Sequence, residues 1–340
     1  MTPLLTTLES FLDRHRVRKG KVLIGVSGGA DSVALLLGLR HFATERHLQL
    51  VVGHFDHAMR NDSAADAQWV KHLCHELGLE ARIARRQIAG IEETSAIGGK
   101  SVSEESARRD RYEFLKTVAS EEKCSWVAVA HTADDQVETV LHHILRGSGL
   151  NGLRGIPEVR SLKGVPSVGE LMLIRPFLNV SRNGIDSFLE SLSQSFREDP
   201  TNASFDYTRN RLRHVVLPML RTEFNPRIDQ ALLQLSQQAM DAQIVINELV
   251  GKLFCDAVLD QQPGHVRLQR SLLIAHPSGI LRAFFAHLWD IQEWPRQNLG
   301  FAHLDQLARM VVTQTPSRHS LPTGITALCR EHFFELRQPI

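Results

Sequence analysis

Lys21–Arg40 reads KVLIGVSGGADSVALLLGLR, and the reading of this stretch decides the fold. An apolar run, Val22–Val26, has the length and composition of a buried strand, and an amphipathic pattern begins directly after it. Between them stand Ser27, Gly28, Gly29, Ala30, Asp31 and Ser32. Two unrelated chemistries use such a corner. Gly25-Val26-Ser27-Gly28-Gly29 is a G-x-S-x-G sequence, the elbow on which serine hydrolases mount their nucleophile. Only one strand precedes Ser27, however, whereas that fold places several before its elbow. The other reading is a phosphate cradle. Two glycines let the backbone approach an anion, and the N-terminus of the following helix adds a positive dipole. Ser27 and Ser32 supply hydroxyls, and Asp31 supplies a magnesium ligand or a helix cap. The stretch is neither G-x-x-x-x-G-K-[ST] nor G-x-G-x-x-G. Taken alone, it leaves hydrolase, cradle and plain glycine turn open.

Working outward, the first half of the chain alternates apolar runs with helical patterns, the mark of an α/β fold with a parallel sheet. Strands are expected at Val22–Val26, Leu50–His54, Ala81–Ile83, Trp126–Ala130 and Leu171–Ile174. Helices are expected at Asp31–Arg46, Asp62–Leu77, Ser103–Ser120 and Asp134–Arg146, with loops at Ala89–Lys100 and Gly147–Gly169. Ligands of open parallel sheets collect outside the carboxyl ends of the strands. Ser27–Ser32, His54–Arg60 and His131–Glu138 all follow strand ends, so one crevice can hold all three. Beyond Pro218 the pattern turns helical: Ile228–Leu259 as one long helix, then Ile280–Ile291, Leu304–Val312 and a terminal hairpin at Ala327–Leu336. A boundary falls between Pro218 and Pro226.

At 340 residues the chain can bury two cores. A hydrophobic fraction of 43% and a charged fraction of 23% are those of a soluble globular protein. No apolar run approaches the roughly 20 residues that span a bilayer, so no membrane partner is expected and a cytoplasmic location is. Cys74, Cys124, Cys255 and Cys329 form no CxxC pair, which suits reduced structural thiols. A net charge of +1 does not by itself demand a nucleic acid. Arginine makes up 31 of the 39 basic residues, and local arginine clusters carry more meaning than that ratio.

Four further stretches bear chemistry. GHFDHAMR, residues 53–60, holds His54, Asp56 and His57; a binuclear zinc pattern would need a histidine at 52, where Val52 stands. In SVSEESARRDRYEFL, residues 101–115, Arg108, Arg111, Tyr112 and Leu115 share a helical face and Arg109 does not. AHTADDQVETVLHHILRGSGLNGLRGI, residues 130–156, crowds Asp134, Asp135 and Glu138 into the first turns of a helix beside His131. Asp135 and Glu138 have capping-box spacing, yet three carboxylates exceed what one cap needs, and such groups commonly hold magnesium with phosphate oxygens. EDPTNASFDYTRNRLRHVVLPML, residues 198–220, sets Arg209, Arg211 and Arg213 beside Tyr207 and Asn210, forks and a ring suited to a single-stranded RNA loop. A basic helix at a domain seam is the plainer reading there.

SGGADS after a first strand resembles the signature of the PP-loop ATP pyrophosphatases. With GHFDHAMR, EESARRDRY, HTADDQVET, RGSGLNGLRGI, IRPFL and EDPTNASFDYTRNRLRHVVLPML in order, the set closely resembles the tRNA(Ile)-lysidine synthetase family over most of residues 20–220. The resemblance implies a PP-loop (adenine nucleotide alpha hydrolase-like) catalytic domain over 1–220 and a smaller, mainly helical tRNA-binding domain over 221–340. It implies that ATP is converted to AMP and pyrophosphate and that Mg2+ assists. It also implies that free L-lysine is joined to C2 of the wobble cytidine of tRNA(Ile) bearing a CAU anticodon, shifting decoding from AUG to AUA. The sequence leaves the oligomeric state open, a homodimer among the options. Carried over residue by residue, nucleotide binding falls to Ser27, Gly28, Gly29, Ala30, Asp31, Ser32 and His54, and metal binding to Asp31, Asp135 and Glu138. Catalysis falls to Asp31, Arg108, His131, Asp134, Asp135 and Glu138, with Arg108 and His131 offsetting phosphoryl charge. Contacts to tRNA fall to Arg108, Tyr207, Arg209, Asn210, Arg211 and Arg213. Thr132 stands where the family often has a second histidine, and the motif at His54–Ala58 lacks the family's glycine. Rival readings are another PP-loop tRNA-modifying enzyme, a serine hydrolase using Ser27, and a non-catalytic RNA-binding protein. The related 2-thiolation enzymes pair a similar loop with CxxC cysteines, which this chain lacks.

Overall fold

The computed structural model describes residues 2–57, 63–86, 104–162, 170–197, 208–322 and 324–338. The expected loop at Ala89–Lys100, the end of the GHFDHAMR stretch from Ala58 on, and Tyr207 lie outside the described residues. Two compact units divide the chain, Met1–Ser236 and Gln237–Ile340, and the division falls within one helix, Ile228–Ala257.

The first unit opens with α1, Pro3–Arg14, a helix the strand pattern did not announce; Thr2 caps it, Pro3 suits its first position, and Leu4, Leu5, Leu8, Phe11 and Leu12 are buried. There follow β1 (Gly20–Gly25), α2 (Ala30–Ala43), β2 (Leu48–Asp56), α3 (Ser63–Glu76), β3 (Glu80–Arg85), α4 (Glu104–Glu121), β4 (Trp126–Ala128), α5 (Ala133–Leu145), α6 (Leu150–Leu153), β5 (Val159–Ser161), β6 (Met172–Ile174) and α7 (Arg182–Ser191). The sheet has the order β3-β2-β1-β4-β6-β5, parallel throughout except for β5, which runs antiparallel to β6. Part of the expected loop at Gly147–Gly169 is therefore ordered as α6 and β5. Three-residue β5 offers too few residues to show a period of two.

Side-chain alternation divides the sheet between two cores. Val22, Ile24, Val52, Ala128 and Ile174 point to one face, where α1, α2 and α7 contribute Leu8, Leu12, Leu35, Leu36, Leu39, Ile185 and Phe188. Leu23, Val51, Val127 and Leu173 point to the other, against Tyr112, Leu115, Val118 and Ala119 of α4. Both faces of β1 are covered, which is why its sequence is continuously apolar.

After α7 a helical run reaches the long helix in four pieces, Thr208–Arg211, Leu212–Val216, Leu217–Met219 and Leu220–Phe224; the second and fourth have the wide π winding. Pro218 removes one N–H and crowds the carbonyl four residues back, which favours a locally widened turn. Leu212 and Leu217 pack with Leu232 against Val137, Val140 and Leu141 of α5.

The second unit holds helices Arg270–Ile274, Ser278–Ile291 and Phe301–Thr313 and an antiparallel sheet of β7 (Val258–Gln262), β8 (His265–Gln269), β9 (Arg318–Ser320), β10 (Thr326–Cys329) and β11 (Phe333–Arg337), ordered β7-β8-β11-β10-β9. The expected terminal hairpin is β10–β11. The other three strands were not anticipated, because β8 buries only Val266 and Leu268, and β7 and β9 bury none of their residues. No helix among the described residues is long and apolar enough to cross a membrane.

One polar anchor in the first unit organises the loop after α5. Buried Gln136 accepts from Ile156 N at 2.6 Å and donates to Arg154 O at 3.1 Å and to Ser236 Oγ at 2.9 Å. Gly155 sits against it at φ +64°, and a Cβ there would lie 2.5 Å from Gln136 Oε1. Gly155→Ala should therefore destabilise the protein by about 2–4 kcal/mol through left-handed strain and overpacking, read as a lower urea midpoint at unchanged slope.

Candidate active site

The corner after β1 is a hydroxyl-braced bend. Ser32 Oγ donates to Gly29 O at 2.8 Å, so its lone pairs accept from Ser27 N at 3.1 Å and from Ser27 Oγ at 3.2 Å. Ser27 Oγ in turn accepts from Gly29 N at 3.3 Å. Gly28 has φ +96°, open to glycine and strained for other residues, and its carbonyl accepts from Arg197 N at 2.9 Å. Arg197 also pairs with Asp66 of α3 at 2.8 Å, which pins the bend from outside. No side chain caps α2, whose N-cap is Gly29. Its first-turn amides and dipole are thus left to an incoming anion.

This geometry disfavours the hydrolase reading. A nucleophilic serine needs a base on its hydroxyl, and the Ser27 hydroxyl is spent on Ser32; among the described residues no imidazole hydrogen-bonds to it. The nearest histidine in the topology, His54 at the end of β2, donates from Nδ1 to Val26 O at 2.8 Å. That bond fixes the tautomer and leaves His54 Nε2 a bare acceptor, buried and unpartnered beside the bend.

Asp31 lies in the first turn of α2. Burial, with Asp135 and Asp134 nearby, pushes its carboxyl up to about 6, against the attraction of Arg182. The Arg182 guanidinium reaches Asp31 Oδ1 at 3.1 Å while its backbone N donates to Asp134 Oδ2 at 3.2 Å. Asp31 and Asp134 are therefore bridged by one residue that sequence reading passed over. Arg182 follows the N-cap Ser181 of α7, and helix-start spacing was the available signal.

Asp135 closes a capping box, its Oδ2 accepting from Thr132 N at 2.8 Å. Its other oxygen accepts from Arg209 Nη2 at 2.7 Å, and the Arg209 Nε lies 2.7 Å from Glu138 Oε2. Arg213 Nε donates to the second oxygen of Glu138, whose side chain is 2% exposed. The structure thus joins two sets expected to act apart: Arg209 and Arg213, expected on tRNA, neutralise Asp135 and Glu138, expected on a metal. Two arginines four apart in the helical run meet two acids three apart on α5, a match of helical faces. Arg211 is exposed, and Asn210 is half-buried.

His131 follows β4. Burial, against the pull of Asp135 and with Arg175, Arg108 and Arg111 close by, lowers it to about 3. In the protein without nucleotide that keeps the ring neutral near pH 7. A cation is expensive in a buried site already ringed by guanidiniums. Arg175, directly after β6, is 2% exposed and donates to Pro157 O at 2.7 Å. The IRPFL stretch places it at a strand end, where sequence reading could have found it.

Glu138→Ala should destabilise by about 3 kcal/mol, since it takes the main partner from Arg213 and leaves Arg209 with Asp135 alone, seen as a fall in urea midpoint that shrinks at high salt. For His131, the folded pKa lies below the free value, so the unfolded chain binds more protons between pH 6.5 and 3, and stability falls as pH drops through that window. His131→Asn should show a shallower loss from pH 7 to pH 4.5 in chemical unfolding.

The PP-loop domain family matches residues 3–220. The tRNA(Ile)-lysidine synthase of Geobacillus kaustophilus is 35% identical over 249 residues, 72% of this chain and 51% of that protein. That of Rhodopirellula baltica is 31% identical over 331 residues, 86% of this chain and 80% of that protein. The chain spans about half the length of several curated relatives it matches. Among solved structures, the U34-tRNA thiolase NcsA from Methanococcus maripaludis with its 4Fe-4S cluster superposes with a TM-score of 0.56 at 19% identity, covering 70% of this chain and 78% of that one. That likeness is one of fold.

Proposed function

Because the chain belongs to the tRNA(Ile)-lysidine synthase family of PP-loop proteins, we propose that it joins free L-lysine to C2 of the wobble cytidine of tRNA(Ile) with a CAU anticodon, consuming ATP to AMP and pyrophosphate. The observation that carries the reading is the braced glycine bend at Ser27–Ser32, opening on an uncapped helix start with carboxylates at the neighbouring strand end. Ser27, Gly28, Gly29, Ala30 and Ser32 receive the phosphates of ATP, and His54 Nε2 accepts a hydrogen bond from the nucleotide. The cytidine O2 is adenylated and pyrophosphate leaves; the lysine ε-amine then attacks C2 and AMP leaves.

The acid-rich corner around Asp31 suits Mg2+, because burial, with Asp135 and Asp134 nearby, raises the Asp31 carboxyl in spite of Arg182, and a cation there would relieve it. Asp31 is the carboxylate we assign to the ion; it meets one guanidinium, that of Arg182, where Asp135 and Glu138 each meet two. Bound there, Mg2+ would supply charge neutralisation on the polyphosphate. Near pH 7 the ε-amine is mostly protonated, since its reference pKa is about 10.4. Asp134, held by a single backbone N–H, is placed to take that proton. Arg108 supports charge developing on phosphoryl oxygens, with neutral His131 restricted to accepting or relaying hydrogen. Arg211 and Asn210 meet the RNA, with Tyr207 as a stacking ring. The substrates place the reaction in the cytoplasm. Thiolation is disfavoured by the scattered cysteines, three of which are buried.

The test is incorporation of labelled lysine into anticodon-loop RNA with ATP. Wild type should form lysidine with one AMP released per lysine, and Asp31→Asn should lose at least tenfold in rate. RNA binding without AMP release would leave a non-catalytic binding protein instead.

A further inference from the structure

The side of the first unit packed by α4 carries a positive cluster of which the reaction above uses Arg108 alone. Tyr112, 8% exposed, belongs to the α4 core with Leu115, Leu162 and Leu173. The Arg108 guanidinium lies 5.6 Å from its ring centroid and that of Arg160 lies 5.8 Å from it. Arg108 comes from α4, one turn before the ring. Arg160 comes from β5, in register with Leu173, and so shares the face of the sheet that α4 covers. Buried Arg175 adds a third guanidinium beside the tyrosine hydroxyl. Three guanidiniums have been collected about one tyrosine, and among the residues whose side chains are described no carboxylate pairs with Arg108, Arg160 or Arg175. Like charges gathered at one tyrosine, two of them at the surface, repel one another, and an arriving anion relieves that repulsion. The two outer guanidiniums are exposed and ordered by stacking, which lowers the entropy lost on binding. Tyr112 thus serves as a platform, and Arg175 as a positioning residue beneath it.

We infer that Tyr112, with Arg108 and Arg160 on its ring and Arg175 behind it, forms a subsite for a phosphodiester of the RNA strand that presents the target cytidine. The inference rests on the proposed RNA substrate and adds Tyr112, Arg160 and Arg175 to the residues that hold it. A phosphodiester fits better than a buried small anion because the two guanidiniums free to meet a ligand face solvent, while the enclosed one is committed to Pro157 O. The subsite lies on the face covered by α4, next to His131 and Arg175 at the ends of β4 and β6, so a strand held there has its neighbouring base at the sheet's carboxyl edge.

The experiment measures the affinity of the full chain for anticodon stem-loop RNA across a salt series. Arg160→Ala, an exposed change that leaves the core intact, should weaken binding several-fold near 0.1 M salt and reduce the slope of log K against log salt by about 0.7, one phosphate contact on a single strand. Arg160→Lys should restore the slope and only part of the affinity, since charge returns without stacking. Tyr112→Phe should keep both, and Tyr112→Leu should match Arg160→Ala if it folds. An unchanged slope in Arg160→Ala overturns the inference. So does a rise in the lysine KM with loss of preference for lysine over cadaverine, which would make this a carboxylate site. Failure of the proposed reaction would appear differently, as absence of lysine incorporation by the wild type.

Discussion

A carboxylate with its side chain 2% exposed must be neutralised where it stands, and Glu138 is such a group. Leaving it ionised without partners would be prohibitive. Arg209 and Arg213 answer that constraint, and in doing so they tie a helical run from far along the chain to the first turns of α5. The apolar contacts of Leu212, Leu217 and Leu232 with α5 could form in several rotational settings. The guanidinium forks, directed at two acids three residues apart, select one. The first turn of α5, with Asp134, Asp135 and the neighbouring His131, is placed by that selection.

Around this anchor the site separates its charges. On the α2 side, Asp31, Asp134 and Asp135 make a region that raises the Asp31 carboxyl and draws Arg182. On the α4 side, burial together with Arg175, Arg108 and Arg111 keeps His131 neutral, and Arg160 adds to the positive charge around Arg175. The proposed reaction, with a polyphosphate and an RNA strand in one crevice, would use both fields close together. The parallel sheet supplies the separation, because strand ends deliver side chains in fixed order along one edge.

The sheet's parallel strands and the cradle were legible in the sequence because each rests on local signals. β1, buried on both faces, reads as an uninterrupted apolar run, and Ser27–Ser32 announces a strand-to-helix bend through its glycines and hydroxyls. β5, β7 and β9 were illegible for the opposite reason: three to five residues with no buried side chain have no period to detect. The partners of the charged residues were equally hidden. Arg209 and Arg213 look like phosphate forks in sequence, and nothing local says that Glu138, more than 70 residues away, will claim them.

From residue order alone follow the α/β alternation, the PP-loop corner and the family resemblance, all consequences of short-range sterics and periodicity. Tertiary structure alone decided which acids stay available, that His131 is uncharged, and that Tyr112 gathers guanidiniums from α4, β5 and the end of β6. Those outcomes depend on burial and on distances between segments remote in the chain, and electrostatic free energy is set by distance and local dielectric instead of by residue type.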